Sequence, residues 1–222
     1  MTLPEINHCP CGKIHRSSVK KIVIGSGAVE KLPELTRDYT NPFLLADTNT
    51  YAAAGQRVKK TLETAGKKPV CYVIDEPAVK LDEKTVGCAV MHFDKTCDVI
   101  IAVGSGVIND TGKILASLSE KPYIIVGTAP SMDGYASASS SVERDGLKIT
   151  LPSKCPDVIV GDTEILRNAP MRMLLAGLGD MLAKYISICE WRISHLVTGE
   201  YYCETVAETV RCALRKCVEH AD

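Results

Sequence analysis

Short, continuous apolar runs alternate along this chain with stretches of helical period, and that alternation predicts the fold. CDVIIAVG, from Cys97, is an apolar run bounded by polar residues, the pattern of a strand buried on both faces. Gly104-Ser105-Gly106 breaks the run. VINDTGKILASL follows, with Ile108, Thr111, Ile114 and Leu115 at helical spacing. KPYIIVG reads as the next strand and leads into TAPSMDGYASASSS, a loop of hydroxyls and two glycines with one carboxylate, Asp133. Upstream, residues 19–24, 42–46 and 69–75 read as strands. Helices are expected from the first glycine turn to Leu35, over 53–65 and over 82–91. Downstream, Asp145-Gly146 between two short apolar segments is a tight-hairpin signal, and a further strand ends at Asp162.

Strands alternating with helices imply right-handed crossovers and a doubly wound parallel sheet, an α/β class. From Asn168-Ala169-Pro170 onward the pattern is helical throughout. The expected division is an α/β nucleotide-binding domain over residues 1–168 and the first helices of an all-helical domain over 169–222.

Composition narrows the function only a little. A formal net charge of −1 over 222 residues leaves no electrostatic footprint for nucleic acid or an anionic membrane. No charge-free apolar stretch reaches the length of a membrane span, and the first residues lack a secretory h-region, so a cytoplasmic protein is expected. Most of the ten cysteines, Cys71, Cys88, Cys189 and Cys212 among them, sit in apolar surroundings and are expected to pack as small hydrophobes. His8, Cys9, Cys11 and His15 crowd together, but the C-x-C spacing is short for a structural metal site and the arm offers no further partner. An ordinary turn leading into the first strand is the expectation there.

The chemistry concentrates at the strand ends. A glycine turn that opens a helix leaves backbone N–H groups free at the positive end of the helix dipole, an arrangement that binds phosphate. Gly104, Ser105 and Gly106 supply such a turn, and Asp133 lies in a loop where a buried strand ends, the usual place of the ligand crevice. Gly25-Ser26-Gly27 is a second glycine turn that lacks the third glycine of the dinucleotide fingerprint, and it reads as structural. Asp47, at the end of the second strand, suits a ribose hydroxyl or a helix cap. Asp180 is an anomaly among Leu178, Met181 and Leu182: either a functional carboxylate or an i, i+4 partner of Lys184. Gly177 and Gly179 beside it favour close approach of another segment.

VGSGVINDTGK, TAPSMDGYAS and GLGDMLAKY together resemble the sn-glycerol-1-phosphate dehydrogenases, within the dehydroquinate synthase and iron-containing alcohol dehydrogenase superfamily. Gly127 departs from the family, which more often has proline before the TAPS run. The resemblance implies a dehydroquinate synthase-like fold and interconversion of dihydroxyacetone phosphate and sn-glycerol 1-phosphate with NAD(H) or NADP(H). Gly104, Ser105, Gly106, Val107, Ile108, Asn109 and Asp110 would hold the pyrophosphate. Thr128, Ala129, Pro130, Ser131 and Ser137 would contact the cofactor. Asp133 would position the substrate hydroxyl, and Asp180 would bind a divalent metal, zinc first, with nickel or iron as alternatives. The resemblance also implies two histidine ligands on later helices. His195 and His220 do not sit in that context, so the expectation is the N-terminal portion of a longer protein or a shortened one. The partner implied is a small phosphorylated substrate; a homo-oligomer stays open. The rival readings are a non-catalytic nucleotide-binding module, and another enzyme of the superfamily such as glycerol dehydrogenase or dehydroquinate synthase.

Overall fold

The computed structural model describes residues 5–221. In chain order its elements are β1 (Lys21–Gly25), a 3-10 turn (Ala28–Lys31), α1 (Leu32–Leu35), β2 (Pro42–Asp47), α2 (Thr48–Thr50), a π turn (Tyr51–Gly55), α3 (Gln56–Thr64) and β3 (Val70–Ile74). Then come α4 (Glu83–His92), β4 (Val99–Gly104), α5 (Gly106–Ser119), β5 (Tyr123–Gly127), a second 3-10 turn (Gly134–Ala136), β6 (Ser139–Arg144) and β7 (Leu147–Pro152). β8 (Val158–Asp162), α6 (Thr163–Leu166), α7 (Met171–Thr198) and α8 (Glu204–Glu219) complete the chain.

Six strands form a parallel sheet in the order β1-β8-β5-β4-β2-β3. Successive strand residues point to opposite faces, so one sheet carries two cores. Leu44, Val99, Ile101 and Val126 pack with Val29, Leu32, Val58 and Leu62 on the side of α1 and α3. Phe43, Ile100, Ala102 and Ile125 pack with Phe93, Ile108 and Leu115 on the side of α4 and α5. Helices on both faces make this the doubly wound sheet the alternation predicts. β6 and β7 stand apart as an antiparallel hairpin, turning through Asp145 (φ 52) and Gly146 (φ 76), the two left-handed positions of a type I′ turn. Val142 packs with Ile114 and seats the hairpin against α5.

Two element boundaries move. The helical run after β2 starts at Thr48, not at residue 53, because Asp47 accepts from the Thr50 N–H at 2.8 Å while Thr50 Oγ1 accepts from the Asp47 N–H. The stretch expected as one helix up to Leu35 is a 3-10 turn followed by a single α turn with Pro33 near its start.

Asp157 ties the sheet's lower edge. Its side chain accepts from the Tyr123 N–H at 2.9 Å and pairs with Lys20 at 2.8 Å. Burial pushes its carboxyl up, but the bonds from Lys20 and Tyr123 outweigh it and hold it below the usual 3.8. A depressed carboxyl contributes stability above its unfolded pKa and loses it as pH falls through the folded one. Asp157→Ala should therefore lower stability by about 1–3 kcal/mol near neutrality. That deficit should shrink once the pH drops below about 4. Urea unfolding of both proteins across that range checks it; a deficit that persists undiminished in acid refutes the assignment.

α7 and α8 pack against each other beyond the sheet, and α7 is open along one flank: Leu196 and Val197 are 75% and 77% exposed. Cys189 on α7 and Cys212 on α8, expected to be packed, are exposed, whereas Cys97 is buried and its thiol is pushed up to about 11 by burial. Among the described residues no helix is long and apolar enough to cross a membrane.

Candidate active site

The carboxyl ends of the central strands lie level, with Gly104 beside Gly127 and Gly127 beside Gly161. α5 rises directly from Gly104, where an added Cβ would stand 2.5 Å from Ile108 Cβ, so this glycine lets strand and helix meet. Ser105, the N-cap, makes no side-chain cap, and the first intrahelical bond runs from the Asn109 N–H to Ser105 O at 2.8 Å. The N–H groups of Gly106, Val107 and Ile108 thus have no intrahelical acceptor. They stand at a cleft of about 670 Å³ whose walls include Asp47, Ser105, Val107, Thr128, Ala129 and Arg172. A Cβ on Gly106 would meet nothing nearer than Met132 Sδ at 3.7 Å, so the space over this turn is open to a ligand.

The first glycine turn is filled from within. Asp162, fully buried at the end of β8, accepts from the Gly27 and Val29 N–H groups, each at 3.3 Å, and lies 3.6 Å from Arg57. The chain's own carboxylate occupies the place an anion would take, which makes that turn structural.

The loop after β5 folds over α5. The Thr128 N–H donates to Gly104 O at 3.1 Å, and the Tyr135 hydroxyl donates to Ala129 O at 2.6 Å, its ring standing 3.4 Å from where a Cβ on Gly127 would lie. Beneath it lies a residue the sequence reading passed over. Lys113 is fully buried, and its Nζ donates to Asp110 Oδ1 (3.0 Å), Gly134 O (2.7 Å), Ser137 Oγ (2.8 Å) and Ser139 O (3.2 Å). The other Asp110 oxygen accepts from the Ser141 N–H at 3.1 Å. Asn109 is also buried, its side chain accepting from the Tyr123 hydroxyl at 3.0 Å. Asn109, Asp110 and Ser137 therefore bind α5, the loop and the hairpin to one another, while Asp47, Ser105, Val107, Thr128 and Ala129 line the cleft. Asp47 serves there as the cap of α2 as well.

Pro130 and Ser131 carry the loop onto α7. A Cβ on Gly177 would fall 1.8 Å from Pro130 O, so this glycine is required for the close approach. Nothing lies within 4 Å of the corresponding point on Gly179. One turn beyond Gly177, Asp180 Oδ2 accepts from the Asp133 N–H at 2.8 Å, and Lys184 Nζ stands 2.8 Å from Asp133 and 3.5 Å from Asp180. The Asp133 N–H, helped by Lys184, holds the Asp180 carboxyl below its usual 3.8, and the bond to Asp133 lifts Lys184 above 10.5. Asp180 thus pairs with Lys184, as the i, i+4 reading expects, and its other oxygen joins the Asp133 loop.

Among the described residues, Asp180 belongs to no group of three or more Cys, His, Asp or Glu ligand atoms. The cation beside the two carboxylates is the Lys184 ammonium. His195 Nδ1 lies 2.6 Å from Glu200 O and its ring packs near Tyr202, an ordinary helix histidine. The residues present here do not compose a metal's ligand set. They do fit a dinucleotide, through unpaired N–H groups, open space over Gly106 and a cleft that Arg172 makes more positive.

The family model for iron-containing alcohol dehydrogenase matches residues 23–170. This chain belongs to that family. Among relatives of this iron-containing alcohol dehydrogenase family member, the glycerol-1-phosphate dehydrogenase [NAD(P)+] of Halalkalibacterium halodurans is 37% identical over 222 residues, covering 97% of this chain and 56% of that protein. The enzyme of the same name from Bacillus subtilis is 35% identical over 209 residues, covering 92% and 53%. The chain thus spans about half the length of the curated relatives it matches. Of solved structures, NADH-dependent butanol dehydrogenase A from Thermotoga maritima shares the fold with a TM-score of 0.71 at 18% identity, over 92% of this chain and 55% of that one.

Proposed function

We propose that this chain carries the nucleotide-binding half of an NAD(P)-dependent glycerol-1-phosphate dehydrogenase that interconverts dihydroxyacetone phosphate and sn-glycerol 1-phosphate. The observation that carries the reading is the open N-terminus of α5 at a cleft whose loop also holds Asp133 against Asp180. The named relatives supply the substrate class. The nicotinamide, when bound, supplies or accepts the hydride. The N–H groups of Gly106, Val107 and Ile108 would hold the pyrophosphate, Asp47 would receive a ribose hydroxyl, and Thr128 and Ser131 would bond the cofactor nearby. Asp133, paired with Lys184 at 2.8 Å, would hold the substrate hydroxyl in place. In a protein of the relatives' length, a divalent metal, zinc or alternatively nickel or iron, would be held with Asp180 as one of its ligands.

Titration calorimetry with NADH and NADPH tests the cleft. Gly106→Val should weaken binding about tenfold or more, because valine fills the space the phosphates approach. Its Cβ meets only Met132 at 3.7 Å, so folding should survive. Equal affinity for parent and variant sinks the assignment. In a family-length enzyme, Asp133→Asn should lower kcat/KM by about 2–4 kcal/mol in transition-state stabilisation while leaving cofactor affinity intact.

Among the described residues, no further metal-ligand group stands with Asp180, which favours a second reading, a nucleotide-binding module without turnover. On that reading this chain binds NAD(P)H but does not reduce dihydroxyacetone phosphate. Asp180-dependent turnover by the 222-residue chain would eliminate it.

A further inference from the structure

The short C-x-C spacing and the absence of a further partner within the arm predict an ordinary turn there; the fold supplies a partner from elsewhere in the chain. Ile6 and His15 exchange both backbone bonds at 3.0 Å, and the Gly12 N–H closes on Cys9 O at 2.9 Å with Gly12 at φ +78. This small antiparallel turn brings Cys9, Cys11 and His15 together. Cys203, the N-cap of α8, arrives from 194 residues away. Cys9 Sγ lies 3.5 Å from Cys203 Sγ, Cys11 Sγ 3.3 Å from His15 Nε2, and Cys203 Sγ 3.5 Å from the same nitrogen. All four ligand atoms fall within 4.8 Å of one another.

Those separations have a simple meaning. Ligands arranged tetrahedrally about zinc, with sulfur at about 2.3 Å and nitrogen at about 2.0–2.1 Å, stand about 3.6–3.8 Å apart. The three contacts approach the edges of that tetrahedron. The surroundings suit it as well. The Tyr201 hydroxyl lies 3.1 Å from Cys11 Sγ, and Thr205 Oγ1 lies 3.3 Å from Cys9 Sγ, so two thiols have hydrogen-bond partners outside the cluster. Lys13 Nζ sits 3.5 Å above the Tyr201 ring, placing a cation beside a site that three thiolates would leave net negative. The Tyr201 carbonyl is held by Trp191 Nε1 at 2.6 Å, which fixes the segment leading to Cys203. His8 is exposed and stays outside the cluster.

We infer that Cys9, Cys11, His15 and Cys203 form a structural zinc site that clips the N-terminal arm to α8. Four protein ligands leave no open position, which marks the site as structural and not catalytic. Three thiolates with one imidazole select zinc over the harder divalent ions. The thiols release their protons on binding, and the binding free energy counts as folding free energy for the arm and the α7–α8 pair. The site is separate from the dinucleotide cleft and from Asp180, so it stands whether or not the proposed activity does.

The test is metal analysis of the chain purified under reducing conditions and dialysed against zinc. About one zinc per chain is expected, kept by Asp180→Ala and by Cys212→Ser, and reduced about tenfold or more by Cys11→Ser, His15→Ala or Cys203→Ser. Cobalt exchanged into the parent chain should show the intense visible bands of a tetrahedral thiolate site, and a chelator should lower the melting temperature of the parent but not of Cys11→Ser. Where Cys203→Ser does not fold, His15→Ala and the cobalt spectrum decide. A parent chain that takes up no zinc overturns the inference, as does zinc retained by Cys11→Ser or a metal-free Cys9–Cys203 disulfide found by mass spectrometry.

Discussion

Lys113→Met should be among the most destabilising single substitutions in the chain, removing about 3–5 kcal/mol. The ammonium is fully buried and donates to a carboxylate, two carbonyls and a hydroxyl drawn from α5, the loop after β5 and the start of the hairpin. Methionine has nearly the same volume, so the loss isolates the charge and its bonds from packing. What remains is an Asp110 carboxylate held only by the Ser141 N–H, together with the Gly134 and Ser139 carbonyls, each short of one donor and left to the Ser137 hydroxyl and its neighbours. Adding Asp110→Asn to Lys113→Met should recover part of the loss, because the stranded charge is gone. Urea unfolding of the two single variants and the double variant gives the coupling. A change below about 1 kcal/mol for Lys113→Met would show that the network is ornamental to stability.

Gly177→Ala should separate the loop from α7. Its new Cβ would sit 1.8 Å from Pro130 O and 3.3 Å from Ser131 Cα, both backbone atoms that cannot swing aside. Overpacking of this kind costs about 1–3 kcal/mol, and here relief means moving the helix. Asp180 lies three residues on, on the same face, so the Asp133 N–H should lose its acceptor. Hydrogen exchange at the Asp133 amide reads this directly: faster exchange in Gly177→Ala and no change in Gly179→Ala. The second variant meets nothing within 4 Å and should stabilise the helix by about 0.5–1 kcal/mol. Equal protection of Asp133 in Gly177→Ala and the parent would refute the close-approach role.

Much of the fold was legible because buried parallel strands write themselves as unbroken apolar runs. β4 and β5 were predicted from such runs, and Asp145-Gly146 specified the hairpin turn from two residues alone. Strand order was not legible: β8 inserts between β1 and β5, and nothing local to residues 158–162 records that neighbour. At the site, the glycine turn at Gly104 and the approach at Gly177 carried their own signal, since glycine inside an element asks for a reason. Lys113 left a weaker one. It sits in a helix whose buried residues run continuously from Thr111 to Ala116, and a helix apolar on every side leaves no solvent for a lysine. Cys203 left none, because a ligand contributed from 194 residues away is a property of the fold and not of any spacing.

Asp162 bears on how such chains are read. Two glycine turns of similar spelling stand at the same edge of one sheet, and backbone shape does not choose between them. Charge exclusion does: a phosphate approaching Gly27 meets a carboxylate already seated on the very N–H groups it would need. Specificity for one of two look-alike cradles is thus encoded at the end of a different strand, more than 130 positions later in the chain. Counting glycine turns in a relative gives an upper limit on its anion sites, from which each acid at a neighbouring strand end must be subtracted.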